Sequence, residues 1–163
     1  MTEPHRPGSP RPRTALAALE AHLDLITRDI AAWLDLFADD AIVEFPYSAG
    51  LGVPGRLAGK EAIRGYFAGT PHVFVGLTMS DARLRATEDP DVAVGEAHGS
   101  ATIATTGRAY EQEYVFVLTF REGLIRHYRE YWNPVVALEA MGGQEGLAAL
   151  EARMSAHGAG GVK

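Results

Sequence analysis

Glu130 stands between Tyr128 and Trp132 at strand spacing, within the run Leu124-Ile-Arg-His-Tyr-Arg-Glu-Tyr-Trp-Asn-Pro134. A second alternating run, Tyr110-Glu-Gln-Glu-Tyr-Val-Phe-Val-Leu-Thr-Phe120, precedes it, and Arg121-Glu-Gly123 joins the two. Alternation in a strand puts Tyr110, Gln112, Tyr114, Phe116, Leu118 and Phe120 on one face, and Leu124, Arg126, Tyr128, Glu130 and Trp132 on one face of the next strand. If Phe120 faces Leu124 across a three-residue turn, Phe116 faces Tyr128, Tyr114 faces Glu130 and Gln112 faces Trp132. One carboxylate then lies in an aromatic surface. Such surroundings disfavour its charged form and raise its pKa, as a general acid or base working near neutrality requires. Tyr110 and Tyr114 supply phenolic donors for a developing oxyanion. The plainer alternative is a structural Glu130 paired with Arg126 or lying on a wet rim.

Other candidates are weaker. Glu96, His98, Ser100 and Thr102 share a face, but same-face neighbours lie about 6–7 Å apart. A catalytic triad needs hydrogen-bond contact between its members. That face reads as outward, and the opposite face of small residues (Ala93, Gly95, Ala97, Gly99, Ala101) as packing under a helix. Glu111, Glu113, His127, Arg129 and Tyr131 read as a solvated or subunit-facing surface, with Arg129 in reach of Glu113. Gly50-Leu-Gly-Val-Pro-Gly55 matches G-x-G-x-x-G but does not open into a helix of a βαβ unit, so it reads as a mobile loop over a pocket mouth. Asp39-Asp40 reads as a helix-ending turn. The six His residues lack zinc-ligand spacing, so no metal is expected.

The elements that must hold these residues follow from periodicity. Pro-rich residues 1–13 read as a disordered leader. Thr14 caps a helix carrying Leu16, Leu19, Leu23 and Ile26, which breaks at Thr27–Asp29. A second helix carries Ile30, Trp33, Leu34 and Phe37. A short strand over 41–47, a Gly/Pro-rich loop over 48–59 and a helix over 60–67 follow. Long strands over 73–86 and 92–104 precede the hairpin. Pro134 opens a tail helix, a second helix spans 145–154, and 158–163 reads as loose. The order predicts an α+β domain over 14–142, with three N-terminal helices packed on a strongly curved antiparallel sheet in a cone, and a C-terminal segment over 143–163. Such a cone leaves a pocket.

Composition narrows the function further. The chain has 163 residues, is 47% hydrophobic and 22% charged, and has a net charge of −6. This is the balance of one globular domain and argues against nucleic acid as partner. No run is apolar enough to predict a membrane span or a secretory signal. The absence of cysteine excludes disulfides and a thiol nucleophile, and fits a cytoplasmic setting.

Three segments resemble the SnoaL-like polyketide cyclase branch of the nuclear transport factor 2 superfamily: Trp33-Leu-Asp-Leu-Phe-Ala-Asp-Asp-Ala-Ile-Val-Glu-Phe-Pro46, Gly59-Lys-Glu-Ala-Ile-Arg-Gly-Tyr-Phe67 and Arg129-Glu-Tyr-Trp-Asn133. Their order and spacing carry the likeness. Ketosteroid isomerase, of the same superfamily, keeps its base where this chain has Phe45, its second carboxyl where this chain has Phe116, and its oxyanion tyrosine near Ala21. Steroid isomerisation is therefore not expected. The phenazine-biosynthesis A/B proteins are more similar. Their acid/base Glu falls on Glu130 and their strand Tyr on Tyr110. Their pocket His and Ser fall on Tyr66 and Thr70, a departure that leaves the reaction open. The resemblance implies a cofactor-free enzyme of secondary metabolism acting on an apolar polyketide-like or aromatic intermediate, and a homodimer through the convex sheet. In this reading Trp33, Phe45, Phe116, Tyr128 and Trp132 shape the pocket. A binding or assembly module and a carboxylate-assisted hydrolase are the alternatives.

Overall fold

The computed structural model describes residues 11–159. Most of the expected leader and the end of the loose tail lie outside them. The chain forms the expected α+β architecture, a curled six-stranded sheet wrapped around helices, with strand order β2-β1-β6-β5-β4-β3. Helix α1 (Ala15–Ile26) is capped by Thr14, whose Oγ1 accepts from Ala17 N at 3.1 Å. Helix α2 (Ile30–Leu34) restarts at Asp29, which caps Ala32 N at 2.9 Å. Strand β1 (Phe37–Glu44) begins four residues earlier than its periodicity suggested. Its first residue pairs with Ile125, and a bulge before Ile42 absorbs Asp39 and Asp40, which stay exposed. The Asp pair therefore interrupts a strand instead of closing a helix.

Strand β2 (Arg56–Ala58) and helix α4 (Thr70–Val73) are short, and helix α3 (Lys60–Phe67) lies between them. Strands β3 (Phe74–Ala86) and β4 (Val92–Ile103) run antiparallel. The small-residue face of β4 does lie under a helix. A Cβ on Gly95 would meet Leu19 of α1 at 2.9 Å. Helix α5 (Pro134–Met141) packs on β5 (Ala109–Arg121), and α6 (Gly143–Ala159) packs on α3 and α5.

The hairpin of β5 (Ala109–Arg121) and β6 (Leu124–Trp132) differs from the expected register. The turn has two central residues, Glu122 (φ 53°) and Gly123 (φ 79°), both left-handed, as a twist-compatible hairpin turn demands. Arg121 therefore pairs with Leu124, and Phe120 with Ile125. Continued unbroken, that register would set Glu130 opposite Val115 on the outer face. A bulge between Phe120 and Thr119 inserts Arg126 and restores the facing: Leu118 pairs with Tyr128, Phe116 with Glu130 and Tyr114 with Trp132. Arg126 is held there by Asp40 at 3.1 Å and Glu122 at 2.6 Å, so it is not a partner of Glu130. Ile125 and Tyr128, three residues apart, are both buried for this reason.

Candidate functional site

Glu130 lies within the curl of the sheet and lines a cavity of about 80 Å³. An engineered apolar void of ~150 Å³ holds benzene, so the enclosed space is about half of what one ring needs, and a ring-sized guest would extend through the mouth. Val53, Tyr66 and Trp132 on its lining keep partial exposure. Phe45, Tyr66, Thr70, Tyr110, Tyr114 and Trp132 line the cavity with Glu130. So do Ile26, Met79, Met141, Leu147 and Leu150, which sequence periodicity marked only as core-facing or left unassigned. Among the described residues, no Lys, Arg or His lines the cavity. Loop residue Val53 closes one side, and Gln144 of α6 donates to the Gly50 carbonyl at 2.9 Å, which ties the loop to the tail helix.

Three expected wall residues do not line the cavity. Trp33, Phe116 and Tyr128 are fully buried behind it, because the closed end of the cone is filled by rings. Phe116 stacks between Tyr114 (5.5 Å between centroids) and Tyr128 (6.0 Å). Trp33 packs on Phe37 and Phe67, each at 4.6 Å.

Burial pushes the Glu130 carboxyl up to about 7, against the partial counter-effect of a hydrogen bond donated by Tyr128 Oη at 2.9 Å. A buried carboxyl gains from protonation because the apolar surroundings solvate its charge poorly. Tyr110 and Tyr114 are joined at their hydroxyls at 3.0 Å. Burial pushes Tyr110 up to about 12 and Tyr114 well above its ordinary range, and the nearby Glu130 charge acts in the same direction. Both phenols therefore stay protonated at neutral pH. One proton bridges the pair and the other is left to donate to a guest. Gln112 clamps the end of β6, donating to Asn133 O at 3.0 Å and accepting from Asn133 N at 2.9 Å. Asn133 in turn caps α5 through Val135 N.

Sequence reasoning missed His22. It is 2% exposed on α1 and touches three aromatic residues. Trp33 Nε1 lies 2.7 Å from its Nδ1, and Tyr128 Oη lies 2.9 Å from its Nε2. Burial pulls it down to about 3, so it is neutral. A signal for it existed: His22 sits three residues after Leu19 and four before Ile26, on the buried stripe of the helix.

The outer face holds the remaining polar candidates. His98 sits between Glu113 (2.6 Å) and Glu111 (2.7 Å), and Ser100 donates to Glu111 at 2.8 Å. The serine and the histidine share a carboxylate and do not form a nucleophile–base pair. Arg129 pairs with Glu44 of β1 at 3.3 Å, not with Glu113, because β1 lies beside β6 and Glu113 is engaged by His98. His127 bonds the same Glu44 at 2.6 Å.

Comparisons with known proteins bear on the family and the fold. An uncharacterised PhzA/B-like protein of Pseudomonas aeruginosa is 40% identical over 121 residues, covering 74% of this chain and 84% of that protein. A Bacillus subtilis protein whose crystal structure is named as that of a candidate isomerase matches with TM-score 0.74 and 32% identity, over 79% of this chain and 93% of that one. A phenazine biosynthesis-related protein of P. aeruginosa shares the fold with TM-score 0.68 at 20% identity, over 77% of this chain and 78% of that one. The SnoaL-like domain profile matches residues 15–128, and the chain belongs to that family, within the nuclear transport factor 2-like superfamily.

Proposed function

We propose that this protein is a small acid/base enzyme of the cyclase or isomerase type, in which Glu130 moves a proton on a neutral, largely apolar carbonyl compound. The observation that carries this reading is a carboxyl raised to about 7 inside a cavity shared with a hydroxyl-linked tyrosine pair. A group titrating near the working pH serves either as acceptor or as donor of a proton. Removal of a proton α to a carbonyl leaves an enolate oxygen, and the Tyr110–Tyr114 pair offers it a donor that stays protonated. Among the described lining residues the one charged group is Glu130 itself, which favours a substrate that is neutral around its reacting carbonyl. The PhzA/B-like name of one relative favours a step of secondary metabolism, and the isomerase name of another favours the reaction type. The resemblance of the sequence to the superfamily implies a homodimer through the outer sheet face, which light scattering would test.

The test is hydrogen–deuterium exchange α to the carbonyl in a panel of small cyclic and aryl ketones in D2O, followed by NMR. Wild-type protein should accelerate exchange for members that fit, and Glu130→Gln should lower that rate by ~10²–10⁴-fold, the usual worth of a positioned acid or base. Ketones that bind with equal, uncatalysed exchange in both proteins would replace this reading with a binding module.

A further inference from the structure

We propose that His22 is a positioning residue: with Trp33 and Tyr128 it forms a one-way hydrogen-bond relay that ties Glu130 Oε2 as a permanent acceptor and leaves Oε1 as the oxygen that gains and loses the proton. This inference rests on the acid/base reading for its functional meaning, but not for its geometry.

The direction of every bond follows from chemistry. An indole N–H only donates. Trp33 Nε1, 2.7 Å from His22 Nδ1, therefore requires Nδ1 to be unprotonated. A neutral imidazole then carries its hydrogen on Nε2. Nε2–H donates to Tyr128 Oη at 2.9 Å, so the Tyr128 hydroxyl proton must point elsewhere. Glu130 Oε2 lies 2.9 Å away and receives it. The opposite tautomer would set two N–H groups against each other in a buried site, an arrangement that costs more than a lost hydrogen bond. An imidazolium would do the same, and burial already disfavours it.

Two consequences follow for the carboxyl. A proton on Oε2 would confront the Tyr128 hydroxyl proton, so protonated Glu130 carries its hydrogen on Oε1. The relay also ends blind, since Trp33, His22 and Tyr128 are at most 2% exposed and indole has no second N–H. It therefore orients the carboxyl and does not conduct protons to solvent. The other titratable groups around Glu130 are Tyr110 and Tyr114 from β5 and Tyr66 from α3.

Imidazole ¹⁵N NMR of the wild-type protein, with ¹³C observation of the Glu130 carboxyl, tests the relay without any turnover. The expected result is a neutral Nε2–H tautomer for His22 from pH 5 to 9. In Tyr128→Phe the Glu130 titration should move up by about one pH unit, the effect of losing one hydrogen bond to a charged group. An Nδ1–H tautomer, an imidazolium signal in that range, or a Glu130 titration unmoved in Tyr128→Phe would each overturn the proposal. The ketone-exchange assay separates the two ideas. Correct spectra with no exchange leave the relay and remove the enzyme, whereas the wrong tautomer with exchange does the reverse.

Discussion

A carboxyl near 7 can serve as base or acid, and the sign of its pH–rate profile distinguishes the two roles. If Glu130 acts first as a base, the ionised form is active, and kcat/KM should rise with pH through about 7 and then level off. If it acts first as an acid, the rate should fall through the same window. A profile flat from pH 5 to 9 would mean that Glu130 takes no part. The tyrosine pair supplies no limb below about pH 10, since both phenols are raised. Tyr114→Phe should keep the limb near 7 while lowering the exchange rate, because it removes a donor without removing the proton acceptor. A limb displaced as far as in Tyr128→Phe would assign Tyr114 to the carboxyl instead of to the substrate.

These residues depend on strands whose geometry was only partly visible beforehand. Alternation along β5 was legible because every second residue from Tyr110 to Phe120 is aromatic or apolar apart from Gln112, and all six are buried. The inward face of Glu130 was legible for the same reason. The register was not, because it depends on a left-handed Glu122-Gly123 turn and a bulge at Arg126, and no local pattern announces a bulge. The early start of β1 was hidden likewise, since Phe37 belongs equally to a helical stripe and to a strand. His22 was overlooked because its partners, Trp33 and Tyr128, come from distant parts of the chain. The glycines of β4 show how closely strand packing meets the site. A methyl at Gly95 would meet the Leu84 and Leu19 side chains at 2.6 and 2.9 Å, and one at Gly99 would meet the Tyr114 ring at 2.7 Å. Overpacking of this kind costs about 1–3 kcal/mol, so both Gly95→Ala and Gly99→Ala should unfold at lower denaturant. Only Gly99→Ala displaces a cavity residue, so it should also lower ketone exchange. Equal kinetic effects from the two would show that the Tyr114 ring position is unimportant.

At the scale of the whole molecule, the cavity carboxyl and the buried imidazole set opposing demands on stability. Unfolded His22 takes a proton as pH falls through 6.5, but the fold refuses it until about 3. Its contribution is therefore present above 6.5 and is lost on acidification. Glu130 behaves in the reverse sense: its ordinary value is 4.5 and its folded value about 7, so its contribution is full below 4.5 and lost as pH rises through 7. Between 4.5 and 6.5 the two slopes oppose each other, and the stability of the wild-type protein should change little from this pair. Each unit of separation corresponds to about 1.4 kcal/mol, so keeping Glu130 ionised above pH 7 costs the fold on the order of 3 kcal/mol. His98, raised by its bonds to Glu113 and Glu111 on the exposed face, acts in the same sense as Glu130. Its effect is common to wild type and to a Glu130 variant and cancels in their difference. Denaturant unfolding of Glu130→Gln and wild type should give near-equal stabilities at pH 4, where both side chains are neutral. At pH 8 the variant should be the more stable by roughly 1–3 kcal/mol. That gain would accompany the loss of exchange activity, the expected exchange between stability and a working site. Equal stabilities at pH 4 and pH 8 would mean that the carboxylate is fully solvated when ionised, and the acid/base reading would lose its physical basis.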